Sequence, residues 1–189
     1  MQRRDVLKSL AVVLGGAVSH ACSQALEVPA AQRVAVAGVM TDEQRAAVYR
    51  CADLIIPTTD TPGAIEAGVD EFLDYVISVW YTEDEREVFF AGLAQILDEA
   101  QSTYAQPFIA LKEPQQVALL QAAEAREPVA DPFAPGRSDQ GFFIKIKELT
   151  VTGYYTSEVG ATIERKYLPM PGFYDGDYKF SEVGRLWAS

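Results

Sequence analysis

Apolar residues spaced by three and four, in runs that open on a helix cap and close on proline, constrain this chain more than any other feature. Thr41 followed by Gln44 has the pattern of a capping box. In that motif the first side chain accepts from a free backbone N–H and the second reaches back to the cap residue. Ala47, Val48, Cys51, Leu54 and Ile55 follow at helical spacing, and Ile56 and Pro57 close a first helix. Thr58-Thr59-Asp60-Thr61-Pro62-Gly63-Ala64 then makes a turn, with hydroxyls and a carboxylate suited to capping the next helix. Val69, Phe72, Leu73, Val76, Ile77 and Trp80 mark the apolar face of a second helix. Thr82 and Glu85 repeat the capping box, and Val88, Phe89, Leu93, Ile96 and Leu97 line a third that ends before Pro107. Pro114 suits the first turn of a fourth, continued by Val117, Leu119, Leu120 and Ala123. A fifth is predicted from Phe142 to Thr152, with Phe142, Phe143, Ile146 and Leu149 inward and Lys145, Lys147 and Glu148 toward water.

No stretch alternates with period two for long enough to make a sheet. The expected architecture is therefore all-α: a small irregular domain of about five to six helices over residues 41–168, with short joints that favour antiparallel neighbours. An extended tail rich in aromatics, proline and glycine follows over residues 169–189. Pro128, Pro132, Pro135 and Gly136 make residues 127–141 an irregular loop long enough for a role at the surface.

Residues 1–22 read as an export signal rather than as part of the fold. Arg3 and Arg4 begin a basic region, and the apolar run from Leu10 to Val18 is too short to span a bilayer. The paired arginines with Leu7 and Lys8 resemble a twin-arginine signal, although Gln2 and Val6 stand where a hydroxyl residue and phenylalanine are usual. An ordinary secretory signal that carries two arginines is the alternative. Small residues before Cys22 suit a signal peptidase, and Cys22 is itself a candidate lipid acceptor, against which His20 stands in a position that favours a small side chain. Residues 23–40, alanine- and valine-rich and broken by Pro29 and Gly38, read as a linker.

Charge and composition then exclude whole classes of function. The formal charge is −11, and loss of the signal removes three cationic side chains and one anionic one, leaving the chain more acidic still. Such an excess disfavours nucleic acid and anionic membrane as direct partners. The single histidine, His20, lies in the signal, and Cys51 is the only cysteine beyond it. A histidine-based triad, a histidine metal site, a cysteine cluster, a histidine-ligated haem and an internal disulfide all fall away for the mature chain. Glycine-rich dinucleotide and phosphate loops are missing as well, so no cofactor, metal or catalytic residue is assigned to this chain. Carboxylates are plentiful at Asp70, Glu71, Asp74, Glu83, Asp84, Glu85 and Glu87, but they fall on expected solvent faces or in a first helical turn. Helix-dipole stabilisation and solubility account for them there better than glycoside chemistry does.

The least generic stretch runs from Gly153 to Gly176, with four tyrosines, four glycines and two prolines. That composition suits a shaped surface. Thr156 and Ser157 are placed to cap a last short helix anchored by Ile163 and Tyr167.

Several blocks in a fixed order carry a resemblance. They are Ala52-Asp53-Leu54-Ile55-Ile56-Pro57, then Asp60-Thr61-Pro62-Gly63-Ala64 with Ala67-Gly68-Val69. Phe142-Phe143, Lys147, Leu149-Thr150 and Gly153-Tyr154-Tyr155-Thr156-Ser157 follow, and Pro171-Gly172-Phe173-Tyr174-Asp175-Gly176 closes the series. From about Thr41 to Gly176 the chain resembles the gluconate 2-dehydrogenase subunit 3 family. The resemblance implies a non-catalytic small subunit without a cofactor of its own. In such complexes FAD sits in a separate large flavoprotein of the glucose-methanol-choline oxidoreductase type, which oxidises a sugar or sugar acid. Electrons leave through a cytochrome c subunit or another acceptor. The small subunit is expected to help the flavoprotein fold and travel to the periplasm by the twin-arginine route, with membrane association through the complex or a lipid at Cys22. Tyr154, Tyr155, Thr156, Ser157, Pro171, Gly172, Phe173 and Tyr174 are the expected partner interface. A stand-alone carbohydrate-binding module is the competing reading, because Tyr154, Tyr155, Phe173, Tyr174, Tyr178 and Trp187 offer ring faces to a sugar.

Overall fold

The structure, a computed structural model, describes residues 39–127, 141–168, 170, 172 and 176–188. The signal, nearly all of the linker and most of the proline-rich loop lie outside the described residues.

Helix α1 spans Asp42–Ile55, and both halves of its capping box are in place. Thr41 Oγ1 accepts from the Gln44 N–H at 3.2 Å, and Gln44 Oε1 accepts from the Thr41 N–H at 2.9 Å. Ala47, Val48, Cys51 and Ala52 form its buried stripe. Full burial pushes the Cys51 thiol up to about 12, so it stays protonated and behaves as a small apolar residue.

The turn after α1 is held by its own atoms. Thr58 Oγ1 accepts from the Gly63 N–H at 3.2 Å, and a Cβ at position 63 would lie 2.5 Å from the Thr58 nitrogen. The expected hydroxyl or carboxylate cap for the next helix is not made there: α2, Val69–Tyr75, starts from Gly68 at φ 78° with no side-chain cap. Left-handed backbone fits glycine because it has no Cβ to clash.

Helix α2 runs straight into a π turn over Val76–Trp80, closed by the Tyr81 N–H on the Val76 carbonyl at 3.0 Å. Val69, Leu73 and Ile77 are buried as the periodicity demands, but Trp80 is 72% exposed. The wider turn is the reason. Bonding five residues apart slows the rotation per residue, so a side chain three places beyond Ile77 no longer returns to the inner face. Helix α3, Glu83–Tyr104, repeats the capping box at Thr82 and Glu85 and buries Phe89, Leu93, Ile96 and Ala100. The backbone and side-chain hydrogen bonds from Thr82 hold the Glu85 carboxyl below the usual carboxylate range, with the Lys145 charge adding to them.

A short 3-10 turn, Phe108–Ala110, leads to α4, Glu113–Arg126. Gln116 of α4 is buried among apolar neighbours yet satisfied on both sides. Its Nε2 donates to the Phe108 carbonyl at 2.9 Å, and its Oε1 accepts from Arg50 Nε of α1 at 2.8 Å. One amide therefore ties three elements together, and leaving either bond unmade would carry the cost of a desolvated polar group.

Helix α5, Phe142–Thr156, is the hub, packing against α1, α2, α3 and α4. It extends four residues beyond the predicted end, and Lys145, expected to face water, is buried. A helix packed against four others keeps only a narrow solvent face, here Lys147, Val151, Thr152 and Thr156, and Lys145 is not on it. The Lys145 ammonium lies 5.4 Å from the centre of the Tyr81 ring, where the aromatic face partly replaces water around the charge. Burial, then the nearby Glu85 and Glu148, pushes the Tyr81 hydroxyl up to about 12. The crossing of α3 on α5 is close enough that a Cβ at Gly92 would lie 2.5 Å from Phe142 Cβ.

The first turn of α5 is capped from across the proline-rich loop. The carboxylate of Glu127, at the end of α4, accepts from the Phe143 N–H at 2.8 Å and the Ile144 N–H at 2.9 Å. Both bonds are charge-assisted and lie at the positive end of the helix dipole. Glu127→Ala is expected to cost about 1–2 kcal/mol in urea unfolding, and Glu127→Asp, with its shorter reach, about half of that. A stability unchanged by the alanine substitution would show the cap to be dispensable.

Beyond α5 lies a smaller unit: a π turn over Gly160–Glu164, strand β1 (Lys166–Tyr167), the single-turn helix α6 (Phe180–Val183) and strand β2 (Trp187–Ala188). The strands pair in parallel, Lys166 opposite Trp187 and Tyr167 opposite Ala188. Among the described residues the fold is all-α apart from this bridge, in line with the sequence. The tail is not simply extended, because it returns to pair with the end of the helical domain.

Candidate functional site

The end of α5 splits the expected interface in two. Tyr154 is 2% exposed: its ring belongs to the core and its hydroxyl donates to the Pro62 carbonyl at 2.8 Å. Gly153 is buried beside it, with Phe72 so close that a Cβ would lie 2.7 Å from the ring. Tyr154 is therefore corrected from contact residue to core residue. Helix α5 is enclosed on this side, and the Pro62 turn needs a donor.

Tyr155 is half-buried, its ring edge-on to Tyr154 at 5.3 Å and faced by the Arg165 guanidinium at 4.1 Å. Thr156 and Ser157 finish the helix. Thr156 Oγ1 donates to the Thr152 carbonyl at 2.7 Å. Ser157 Oγ donates to the Tyr154 carbonyl at 2.6 Å and accepts from the Gly160 N–H at 3.1 Å. The capping role expected of Ser157 is thus present, but Ile163 and Tyr167 do not anchor the π turn beyond it, since both side chains are exposed. That turn is fixed instead by Gly160 against the Tyr154 carbonyl and by Thr61 Oγ1 donating to Glu164 at 3.1 Å.

The surface available to a partner lies further along. Met170 is 82% exposed, Leu186 67% and Phe180 63%, and Tyr167, Tyr178 and Trp187 are also open. So many large apolar side chains within one short segment make a patch of the kind that marks a contact site. Tyr178 and Trp187 meet edge to face at 6.5 Å, and Lys166 covers the Trp187 ring at 4.8 Å. Of the rings proposed as a sugar platform, Tyr154 is therefore enclosed, and Tyr155 and Trp187 each carry a cation. Gly172, at φ 77°, is exposed. Pro171, Phe173 and Tyr174 lie outside the described residues, as do Arg3, Arg4, Leu7, Lys8 and Cys22.

Beside the apolar patch is a feature that sequence reading missed. Thr162, Arg165, Lys166, Tyr167, Val183, Gly184 and Arg185 line an open cleft of about 510 Å³. Its three cationic residues come from two segments about twenty residues apart, joined by the β1–β2 pairing and by Arg185 donating to the Ile163 carbonyl. Nothing in either segment alone announces a pocket. Elsewhere three carboxylates have structural partners. Asp74 pairs with Arg45 at 3.3 Å, Asp53 pairs with Arg50, and Glu85 is held in its capping box. Among the described residues no group of three or more histidine, cysteine or acidic side chains could hold a metal ion, and no helix is long and apolar enough to cross a membrane.

A model of the family described as gluconate 2-dehydrogenase subunit 3 matches residues 42–172, from the first residue of α1 into the C-terminal segment. The chain belongs to the gluconate 2-dehydrogenase subunit 3 family. Membership makes it a subunit of a gluconate 2-dehydrogenase-type complex, alongside a larger dehydrogenase subunit. Neither the curated proteins nor the solved structures provide a match. The buried contacts at Gly63, Gly153, Tyr154 and Gly160 all fall within the matched span.

Proposed function

We propose that this chain is the non-catalytic small subunit of an exported FAD-dependent dehydrogenase complex acting on a sugar or sugar acid. Its partner is a flavoprotein of the glucose-methanol-choline type, which holds the FAD and passes electrons on through a cytochrome c subunit or another acceptor. The small subunit docks through its C-terminal segment and helps the flavoprotein to fold, cross the membrane and persist. Family membership carries this reading, and the exposed run of Tyr167, Met170, Phe180, Leu186 and Trp187 supplies a surface to go with it. Large apolar and aromatic residues at the centre of an interface carry most of its binding energy.

Purifying the native complex and recording its flavin absorption tests the docking. Phe180→Ser combined with Leu186→Ser removes two side chains that touch no core. We expect about a tenfold or greater loss of co-purified flavoprotein, with the small subunit's helical circular dichroism unchanged. Full retention of flavin would remove the segment from the interface.

We further propose that the chain leads its partner through the twin-arginine route to the periplasm, where the complex or a lipid at Cys22 holds it at the membrane. That route carries folded proteins, and a signal for it on a chain with no cofactor motif makes sense when a cofactor-bearing partner travels along. Arg3→Lys with Arg4→Lys should leave both subunits in the cytoplasmic fraction. A flavoprotein that still reached the periplasm would refute the shared route.

A further inference from the structure

The cleft under the β1–β2 bridge is a concentration of positive charge on a chain whose formal charge is −11. Arg165, Lys166 and Arg185 line it, and among the described residues no carboxylate does. The nearest acid in sequence, Glu164, is engaged by Thr61 of the opposite turn. Arg185 gives one nitrogen to the Ile163 carbonyl, Lys166 lies over Trp187, and Arg165 lies over Tyr155. Those contacts orient the three cations, and among the described residues each partner is a carbonyl or a ring, which leaves the charge in place. Arg165 Nε, buried, has no acceptor among the described residues.

Three backbone donors of the cleft are already engaged. The Arg165 N–H bonds the Gly160 carbonyl, the Lys166 N–H the Leu186 carbonyl, and the Gly184 N–H the Phe180 carbonyl, at 2.8–3.1 Å. Phosphate sites are typically built from free backbone N–H groups at a glycine-rich turn or helix N-terminus. The charged donors here are two planar guanidinium forks and an ammonium. A guanidinium fork matches the two oxygens of a carboxylate. The long-range field of an acidic protein also repels multiply charged anions more than singly charged ones.

We propose that this cleft is a carboxylate-binding site. It takes a single carboxylate between Arg165 and Arg185, with Lys166 completing the charge. Its volume lies in the range of small-molecule sites. The carboxylate can come from a free organic acid or from an acidic side chain of a protein. Both would be read by the same donors, and the assignment stands whether or not the flavoprotein docks on the neighbouring patch.

The test is titration of the full chain, followed through the arginine side-chain Nε–H resonances at constant ionic strength. The probes are succinate monomethyl ester, a neutral-capped hexapeptide with one glutamate, chloride and inorganic phosphate. Saturable shifts at Arg165 and Arg185 are expected with both carboxylates. Tighter binding of the peptide would assign the site to a protein side chain, and tighter binding of the ester to a free acid. Lys166→Gln with Arg185→Gln should weaken either about tenfold or more, with an unchanged melting temperature showing that the bridge persists. Three results would overturn the proposal: equal shifts with chloride, tighter binding of phosphate than of either carboxylate, or undiminished affinity in the double variant.

Discussion

Tyr154→Ala should destabilise the isolated chain by about 3–5 kcal/mol and lower its melting temperature by about 10 °C. The ring is almost fully enclosed, packed on Tyr155 and within the core cluster that α5 centres. Deleting it removes the transfer free energy of an aromatic side chain and leaves a cavity that four surrounding helices cannot easily collapse. Tyr154→Phe separates the two contributions. It keeps the ring and loses only the bond to the Pro62 carbonyl, at a cost of about 1 kcal/mol. Thermal and urea unfolding of the two variants measure this directly. If Tyr154→Ala unfolded like the parent while failing to retain the flavoprotein, the residue would return to the interface.

The second large effect is expected from Gly160→Ala. A Cβ at position 160 would lie 2.0 Å from the Tyr154 carbonyl oxygen and 2.9 Å from Tyr155 Cα, both backbone atoms that no rotamer change can move. The turn 160–164 must shift, and the Ser157–Gly160 hydrogen bond and the Thr61–Glu164 link go with it. Forced overpacking of this kind costs about 1–3 kcal/mol. That loss falls on the junction between the helical body and the C-terminal unit rather than on the core. Trypsin cleavage after Arg165 and Lys166 should therefore speed up about tenfold, while the helical circular dichroism stays near that of the parent. Cleavage at the parental rate would mean that the turn absorbs a methyl group, contrary to its packing.

These two substitutions show where sequence reading reached its limit. Both residues lie in the stretch that looked, from its tyrosines and glycines, like a surface. Composition cannot separate an aromatic that faces out from one that faces in, because either place suits a ring with a polar tip. The same ambiguity misplaced Lys145, which looked solvated only because the number of helices around α5 is invisible along the chain. Trp80 failed for a different reason: its place on the apolar face assumes an α-helical turn, and the π turn that displaces it leaves no composition signal.

Other features were legible because the interactions that make them are local. Each capping box is complete within four residues, so Thr41 with Gln44 and Thr82 with Glu85 could be read from spacing alone, and the structure contains both. Helix starts at Asp42, Glu83 and Phe142 and most of the buried stripes of α1, α3 and α4 follow from periodicity in the same way, whereas Val88, expected to line α3, is exposed. By itself the sequence thus determined the helical class, the two capping boxes, the lack of histidine chemistry beyond residue 20 and the resemblance to subunit 3 that the family match bears out. Only the tertiary structure decided which aromatics are core, that Glu127 caps a helix across a loop, and that Arg165, Lys166 and Arg185 share one cleft. Those depend on contacts between residues far apart in the chain, and a pairing of that kind is fixed by packing and strand register, which no local pattern encodes.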